Sequence, residues 1–184
     1  MTRDFDNDGL SDLATANFAN NALDILLGYG EFHDYPVGES PLSIAAGDFK
    51  NDTINVFLGN GDGNFQSQGT YLVGNGPQSV TTGDFNTDDK LDLTVANVND
   101  NTISVLLGNG DRTFQNQTTY STGASPTFVI VDDFNSDDKL DLAVTNSGIG
   151  TISVLFGNGN GTFLNYTSYS FRVEPLFILA ADIN

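Results

Sequence analysis

Residues 84–93 read DFNTDDKLDL, and residues 133–142 read DFNSDDKLDL. A looser copy, DFDNDGLSDL, occupies residues 4–13. The step from Asp84 to Asp133 is 49 residues, and the step from Asp133 to Asp182 is the same. Self-similarity at such a period is the mark of a propeller, a solenoid or an array, in which each copy is one supersecondary unit. The other landmarks keep step. LLGNGDRTF (106–114) matches LFGNGNGTF (155–163), and FLGNGDGNF (57–65) and LLGYGEF (26–32) belong to the same series. A third landmark is shared by SPLSIAAGDF (40–49), GPQSVTTGDF (76–85) and SPTFVIVDDF (125–134), and EPLFILAADIN (174–184) repeats it.

Within the unit that begins near Pro77, four segments read as strands. Residues 78–84 are small and β-branched. Residues 91–97 (LDLTVAN) alternate apolar and polar over their first half, and residues 102–107 (TISVLL) are β-rich. Residues 113–121 (TFQNQTTYS) are polar and Thr-rich, as an exposed outer strand would be. NVNDN, GNGD and STGASP lie between them, all rich in turn formers. No window keeps an i, i+3, i+4, i+7 apolar face, so helices are not expected. The predicted fold class is therefore all-β, a β-propeller of four-stranded antiparallel blades. A β-solenoid is the competing architecture, but its coils are usually shorter than this repeat.

The units run over about 4–46, 47–83, 84–132 and 133–181, and a further one starts at 182–184. The second unit is short by 13 residues between Phe49 and Leu58, where the acidic loop and one strand belong. The first is short by five residues around its outer strand. A blade without an internal strand is expected to be narrow and to leave edges unpaired. The termini fit two arrangements. Phe177–Asn184 could complete the first unit, or the chain could be a window of a longer propeller. The half-units at both ends favour the second.

Twenty-four acids against six bases give a formal charge of −18. That charge argues against binding nucleic-acid phosphates or an anionic membrane surface. It suits cation binding, or solubility outside cells. The chain has no Cys, which excludes a disulfide scaffold, thiol catalysis and thiolate metal sites. No apolar run is long enough to span a membrane. The start, MTRDFDNDGL, lacks the apolar core of a signal peptide.

The decamers follow D-x-[DN]-x-D-x-x-x-D. Oxygen side chains stand at positions 1, 3, 5 and 9. They are Asp4, Asp6, Asp8 and Asp12, then Asp84, Asn86, Asp88 and Asp92, then Asp133, Asn135, Asp137 and Asp141. Position 7 would add a backbone carbonyl, from Leu10, Lys90 and Lys139. Crowded carboxylates repel unless a cation sits among them. A donor set of hard oxygens, without His or Cys, selects Ca²⁺ or Mg²⁺. Several ligands from one flexible loop favour Ca²⁺, so about three calcium sites are expected. The EF-hand loop opens similarly but requires a bidentate Glu at position 12 and flanking helices. Here position 12 is Thr15, Val95 and Val144, inside strand patterns, so that reading fails. A solvated acidic turn is the plain alternative, and threefold recurrence just before a strand weighs against it.

The three acidic loops together with the LGNGDGNF-like landmark resemble the FG-GAP and VCBS-type repeats, the calcium-loop blades of integrin α-subunit propellers. The resemblance covers nearly the whole chain. It implies propellers of usually seven blades, with calcium held structurally in hairpin loops between neighbouring strands. It also implies extracellular or cell-surface recognition or adhesion, with a protein or glycan ligand. The second unit departs from the pattern, because Lys50 stands at loop position 3 and the rest of the loop is gone, so no ion is expected there.

The remaining signals are weaker. N-x-[ST] sequons occur at Asn51, Asn116, Asn160 and Asn165, and those at Asn116 and Asn165 suit an exposed rim. His33 has no nucleophile pattern around it. The GNG runs lack the Lys-Ser/Thr ending of a phosphate loop and read as tight hairpin turns. The Phe residues of DF and TF, one each per unit, are expected in the core between blades. No catalytic constellation is present, and carboxylates that recur in every good repeat are not a single catalytic pair. Two further functional classes stay open: a sugar-binding pocket lined by Tyr120 and Tyr169, and an accessory propeller beside an enzyme.

Overall fold

The computed structural model describes residues 2–3, 12–17, 22–26, 43–59, 65–171 and 174–181. His33, the acidic positions Asp4, Asp6 and Asp8, and Leu10 lie outside them. The described residues form fourteen strands: β1 (Thr2–Arg3), β2 (Asp12–Asn17), β3 (Ala22–Leu26), β4 (Ser43–Asp48), β5 (Thr53–Gly59), β6 (Phe65–Leu72), β7 (Pro77–Gly83), β8 (Asp92–Asn97), β9 (Thr102–Leu106), β10 (Thr118–Ser121), β11 (Pro126–Asp132), β12 (Asp141–Asn146), β13 (Thr151–Leu155) and β14 (Thr167–Ser170). No helix occurs among the described residues, and hence none long and apolar enough to cross a membrane. The chain divides into two compact units, Met1–Ala46 with Asn55–Gly69, and Gly47–Ile54 with Thr70–Asn184.

The strands order as β1-β2-β3, β4-β5-β6, β10-β9-β8-β7 and β11-β12-β13-β14. Two four-stranded antiparallel sheets therefore stand where the intact decamers are. In both, the first strand opens with a register shift, between Pro77 and Ser79 and between Pro126 and Phe128. Proline cannot donate to the ladder, so a bulge at the strand's first residue is where it belongs.

The middle strands depart from simple alternation. Every residue of β8 and of β12 is buried. A strand that is third from the outside and covered on both faces has no solvent side, so Thr94, Asn97, Thr145 and Asn146 go inside with the apolar residues. The outer strands β10 and β14 are largely exposed, as their polar composition predicts. They are shorter than the sequence suggests. Gly108 bridges Phe114, and Gly157 bridges Phe163, so the GNG segments close as turns before the outer strand begins.

The core between the β7–β10 and β11–β14 sheets gathers Phe85, Ile103, Val105, Val129, Leu142 and Leu155. Each fully buried aliphatic side chain of this kind contributes about 1.5–3 kcal/mol. Phe85 from a DF pair meets Phe163 from a TF pair of the next unit edge to face, with centroids 5.5 Å apart, and Tyr120 packs on Phe163 at 5.6 Å. Phe85 and Phe163 are thus core between neighbouring sheets, as expected, whereas the DF residues Phe49 and Phe134 are exposed and Phe114 is only half-buried. Gly161 donates its N–H to the Phe85 carbonyl at 2.8 Å, which fastens the same junction through the backbone.

Candidate metal loops and the clamps behind them

Residues 84–91 connect β7 to β8, and residues 133–140 connect β11 to β12. Each loop thus joins two antiparallel neighbours of one sheet. The two loops fold alike. Asp84 accepts the N–H groups of Asp88 (3.1 Å) and Asp89 (2.8 Å), and Asp133 accepts those of Asp137 (3.1 Å) and Asp138 (2.8 Å). Asn86 and Asn135 each accept the N–H of the position-5 residue, at 3.2 and 3.0 Å. Asp88 and Asp137 accept the position-7 N–H, both at 3.1 Å. Chains of Asx turns of this kind let short acids replace ladder hydrogen bonds.

Positions 4 and 6 carry left-handed backbone in both copies: Thr87 (φ 58°), Asp89 (61°), Ser136 (61°) and Asp138 (61°). The first decamer has Asn7 and Gly9 at these positions, two residue types that reach this region readily.

Position 9 differs from the rest. Asp92 and Asp141 are 0 % exposed. Asp92 accepts the Phe85 N–H at 2.8 Å with one oxygen and the Gly108 N–H at 2.7 Å with the other. Asp141 does the same for Phe134 (3.0 Å) and Gly157 (2.8 Å). This acid therefore ties the start of its loop to the GNG landmark, which explains why the two motifs travel together. Only glycine fits at the far end of the tie, because a Cβ on Gly108 or Gly157 would run into the carbonyl oxygen of Leu91 or Leu140. Burial pushes the Asp92 and Asp141 carboxyls above their ordinary value, against the N–H groups that pull them down. The like charges of Asp88 and Asp84, or Asp137 and Asp133, push the same way.

The exposed members shift downward. The Lys90 ammonium, beside Asp88, lowers that carboxyl. For Asp133, burial pushes upward but is outweighed by the N–H groups of Asp138, Asp137 and Asn135.

The donor chemistry, carboxylate and amide oxygen throughout, fits a hard cation. The like-charge push on buried Asp92 and Asp141 is the excess negative charge that such an ion would relieve. Among the described residues, however, no three His, Cys, Asp or Glu side chains converge as a ready metal cluster. Their oxygens are turned onto the loop's own N–H groups and onto lysine. Of the first loop's acids, only Asp12 lies in a described strand, at the start of β2 opposite Arg3.

The shortened unit resolves differently from its sequence resemblance. SIAAGDF looks like the first strand of a unit, with Asp48 opening a loop. Yet Asp48, Asn97 and Asn146 are 49 residues apart, and each ends a strand five residues before the next one starts. Asp48 caps a tight turn, accepting the N–H groups of Lys50 and Asn51 (both 3.2 Å) and the Asn51 side-chain amide (2.8 Å). Burial opposes the lowering of its carboxyl, and the Asn51 side chain is the leading cause of it. Lys50 is thus a turn residue rather than a loop ligand.

A second repeated device escaped the reading of the sequence. Asp52 (φ 56°), Asn101 (57°) and Gly150 (63°) occupy the same left-handed turn position, again 49 apart. Their carbonyls accept the N–H groups of Val73 (3.0 Å), Thr122 (3.0 Å) and Phe171 (2.8 Å), where the chain leaves one unit for the next. Asp52 also accepts the Gly76 N–H at 3.0 Å, and Asn101 that of Ser125 at 2.9 Å. On the other side, Gly74 and Gly123 donate to Ser104 and Ser153, which also take the Asn97 and Asn146 amides. The connectors that begin at Val73 and Thr122 are thereby tied on both sides, to the preceding turn and to a serine of β9 or β13. The exact spacing of the three turn residues was the available signal.

A cavity of about 260 Å³ opens beside β10, lined by Tyr120, Leu155, Leu164, Asn165 and Tyr166 among others. Tyr120 is in it as the sugar-pocket reading expects. Tyr169 is not among its lining residues and stands half exposed on β14.

No curated protein matches the chain. A structure of a functionally unknown protein from Desulfotomaculum acetoxidans superposes with a TM-score of 0.58 at 16% identity, covering 88% of this chain and 50% of that one. BBS1N, in a structure of its complex with ARL6DN soaked with lead, superposes with a TM-score of 0.57 at 14% identity, covering 95% and 57%. The chain thus spans 50% and 57% of their lengths, and the likeness concerns fold alone. Residues 84–144, which hold both described decamers, match the model of the FG-GAP-like repeat.

Proposed function

We propose that this chain is part of a calcium-stabilised β-propeller that serves as a non-enzymatic recognition or adhesion module outside the cell, with a protein or glycan as its ligand. Calcium would sit in the loops opened by Asp4, Asp84 and Asp133. The observation that carries this reading is the identical folding of the two described loops around a buried acid that feels two neighbouring carboxylates. The FG-GAP-like match over 84–144 supports it. The likeness to BBS1N, whose structure is a complex with another protein, agrees with a recognition role.

The chemistry asked of the residues is modest. Asp84, Asn86, Asp88 and Asp92 would hold the ion, with their counterparts in the other loops, and Asp92 and Asp141 would keep each loop fixed to its GNG turn. The ion supplies positive charge where like charges crowd. At extracellular calcium levels and the roughly 0.1–1 mM affinity of extracellular modules, each site contributes on the order of 1 kcal/mol. Thermal unfolding in about 2 mM calcium (roughly extracellular) and again in excess chelator tests this. A lower melting temperature in chelator is expected, and an unchanged one removes the calcium reading.

The cavity at Tyr120 and Tyr166 favours a second reading, a carbohydrate site, because aromatic faces beside Asn165 suit sugar stacking and hydrogen bonding. Binding to a glycan array that is lost in Tyr120→Ala and Tyr166→Ala would support it.

A further inference from the structure

We propose that Lys90 and Lys139 are built-in competitors for calcium, occupying the position-5 carboxylate when the ion is absent. This rests on the calcium reading above. Lys90 Nζ lies 3.0 Å from Asp88 Oδ2, and Lys139 Nζ lies 3.1 Å from Asp137 Oδ2. Both lysines come from position 7, for which the motif calls only on a backbone carbonyl. Each side chain is routed to its acid along the GNG turn. A Cβ on Gly110 would stand 2.7 Å from Lys90 Cδ, and one on Gly159 would stand 3.0 Å from Lys139 Cδ. Both glycines have positive φ, 81° and 74°. The bare glycine surface is thus the bed on which the lysine stem lies, and the ammonium arrives as a stand-in cation.

The consequence is two classes of loop. Loops 84–92 and 133–141 carry their own counter-charge at position 7. The first loop has Leu10 in place of lysine at position 7, with Asp4, Asp6, Asp8 and Asp12 all acidic. Calcium entering the second or third loop must displace an ammonium or bind beside it, and like charges at that range repel. Those two loops therefore bind calcium more weakly than the first.

The chain's three lysines are Lys50, Lys90 and Lys139, which makes the test compact. Calcium titration by calorimetry compares the wild type with the Lys90→Met/Lys139→Met double variant, which keeps the stem and removes the charge. Two of the sites should tighten by about two- to fivefold each, the range an exposed ion pair carries, and the remaining site should not change. In the unaltered protein, amine acylation followed by mass spectrometry gives an independent readout. Calcium should speed labelling of Lys90 and Lys139 relative to Lys50. Equal calcium affinity in wild type and variant, or calcium binding that leaves the Lys90 and Lys139 labelling rates unchanged, overturns the competition while leaving calcium in place. No calcium binding by either protein removes both readings together.

Discussion

The β7–β10 sheet and the β4–β6 sheet begin from nearly the same words, SVTTGDF and SIAAGDF, and end up built differently. In the first, Asp84 opens an eight-residue loop, and a new strand, β8, follows it into the middle of the sheet. In the second, Asp48 is followed by only four residues before β5. A loop that short makes the two strands antiparallel neighbours, so β4 stands in the register place of β8. The phenylalanines follow suit. Phe85 is buried against Phe163, whereas Phe49 lies in the turn and is 43 % exposed. Phe114, whose counterpart Phe163 meets a DF phenylalanine, meets Tyr71 instead at 5.3 Å. Similar strand text thus acquires its role from the number of residues after it.

The sharpest way to break the comparison is at the two acids. Asp92→Ala strands two buried N–H groups, of Phe85 and Gly108, and should cost about 2–4 kcal/mol, as should Asp141→Ala. Asp48→Ala removes contacts from an exposed turn and should cost about 1 kcal/mol or less. Urea unfolding of the three variants checks the ranking. Equal losses would mean that Asp48 and Asp92 hold equivalent places after all.

The connector clamps give a smaller effect and test what the two sheets share. Asn101→Ala puts a Cβ residue without a polar side chain at φ 57° and frees the Ser125 N–H. A loss of about 1–2 kcal/mol is expected. Asp52→Ala should behave alike, since it frees the Gly76 N–H. A neutral result at both positions would mean that the connectors hold without their turns.

The smallest effect is in pH. Folded Asp92 and Asp141 bind protons more readily than the unfolded chain. In chelator, stability should therefore rise as pH falls from neutral through their raised values, and the gain should be complete below the ordinary value of 3.8. Asp48, Asp88, Asp111 and Asp133 act oppositely. Their contribution is present above 3.8 and is lost as pH falls through their lowered values. Chelated protein should thus show a stability maximum in mild acid, read as melting temperature against pH. Asp92→Asn and Asp141→Asn should flatten its neutral side.

Much of this was legible in residues taken alone. The 49-residue period, the all-β class, four strands in each full unit and the burial of Phe85 and Phe163 follow from spacing and residue type, whereas the exposure of Phe134 does not. Local chemistry dictates them, since turn formers and β-branched runs act within a few residues. The loop positions were legible too, because Asp and Asn at alternate positions readily fold onto their own backbone N–H groups. The separation of the acids into two kinds was not. Asp92 and Asp88 are the same residue in the same motif, and only packing against Gly108 buries one while Lys90 covers the other. Nor could text alone make SIAAGDF the counterpart of β8 rather than of β7, because a half-apolar strand serves at either position. Chain length to the next strand decided that, through antiparallel pairing and burial that no single segment contains.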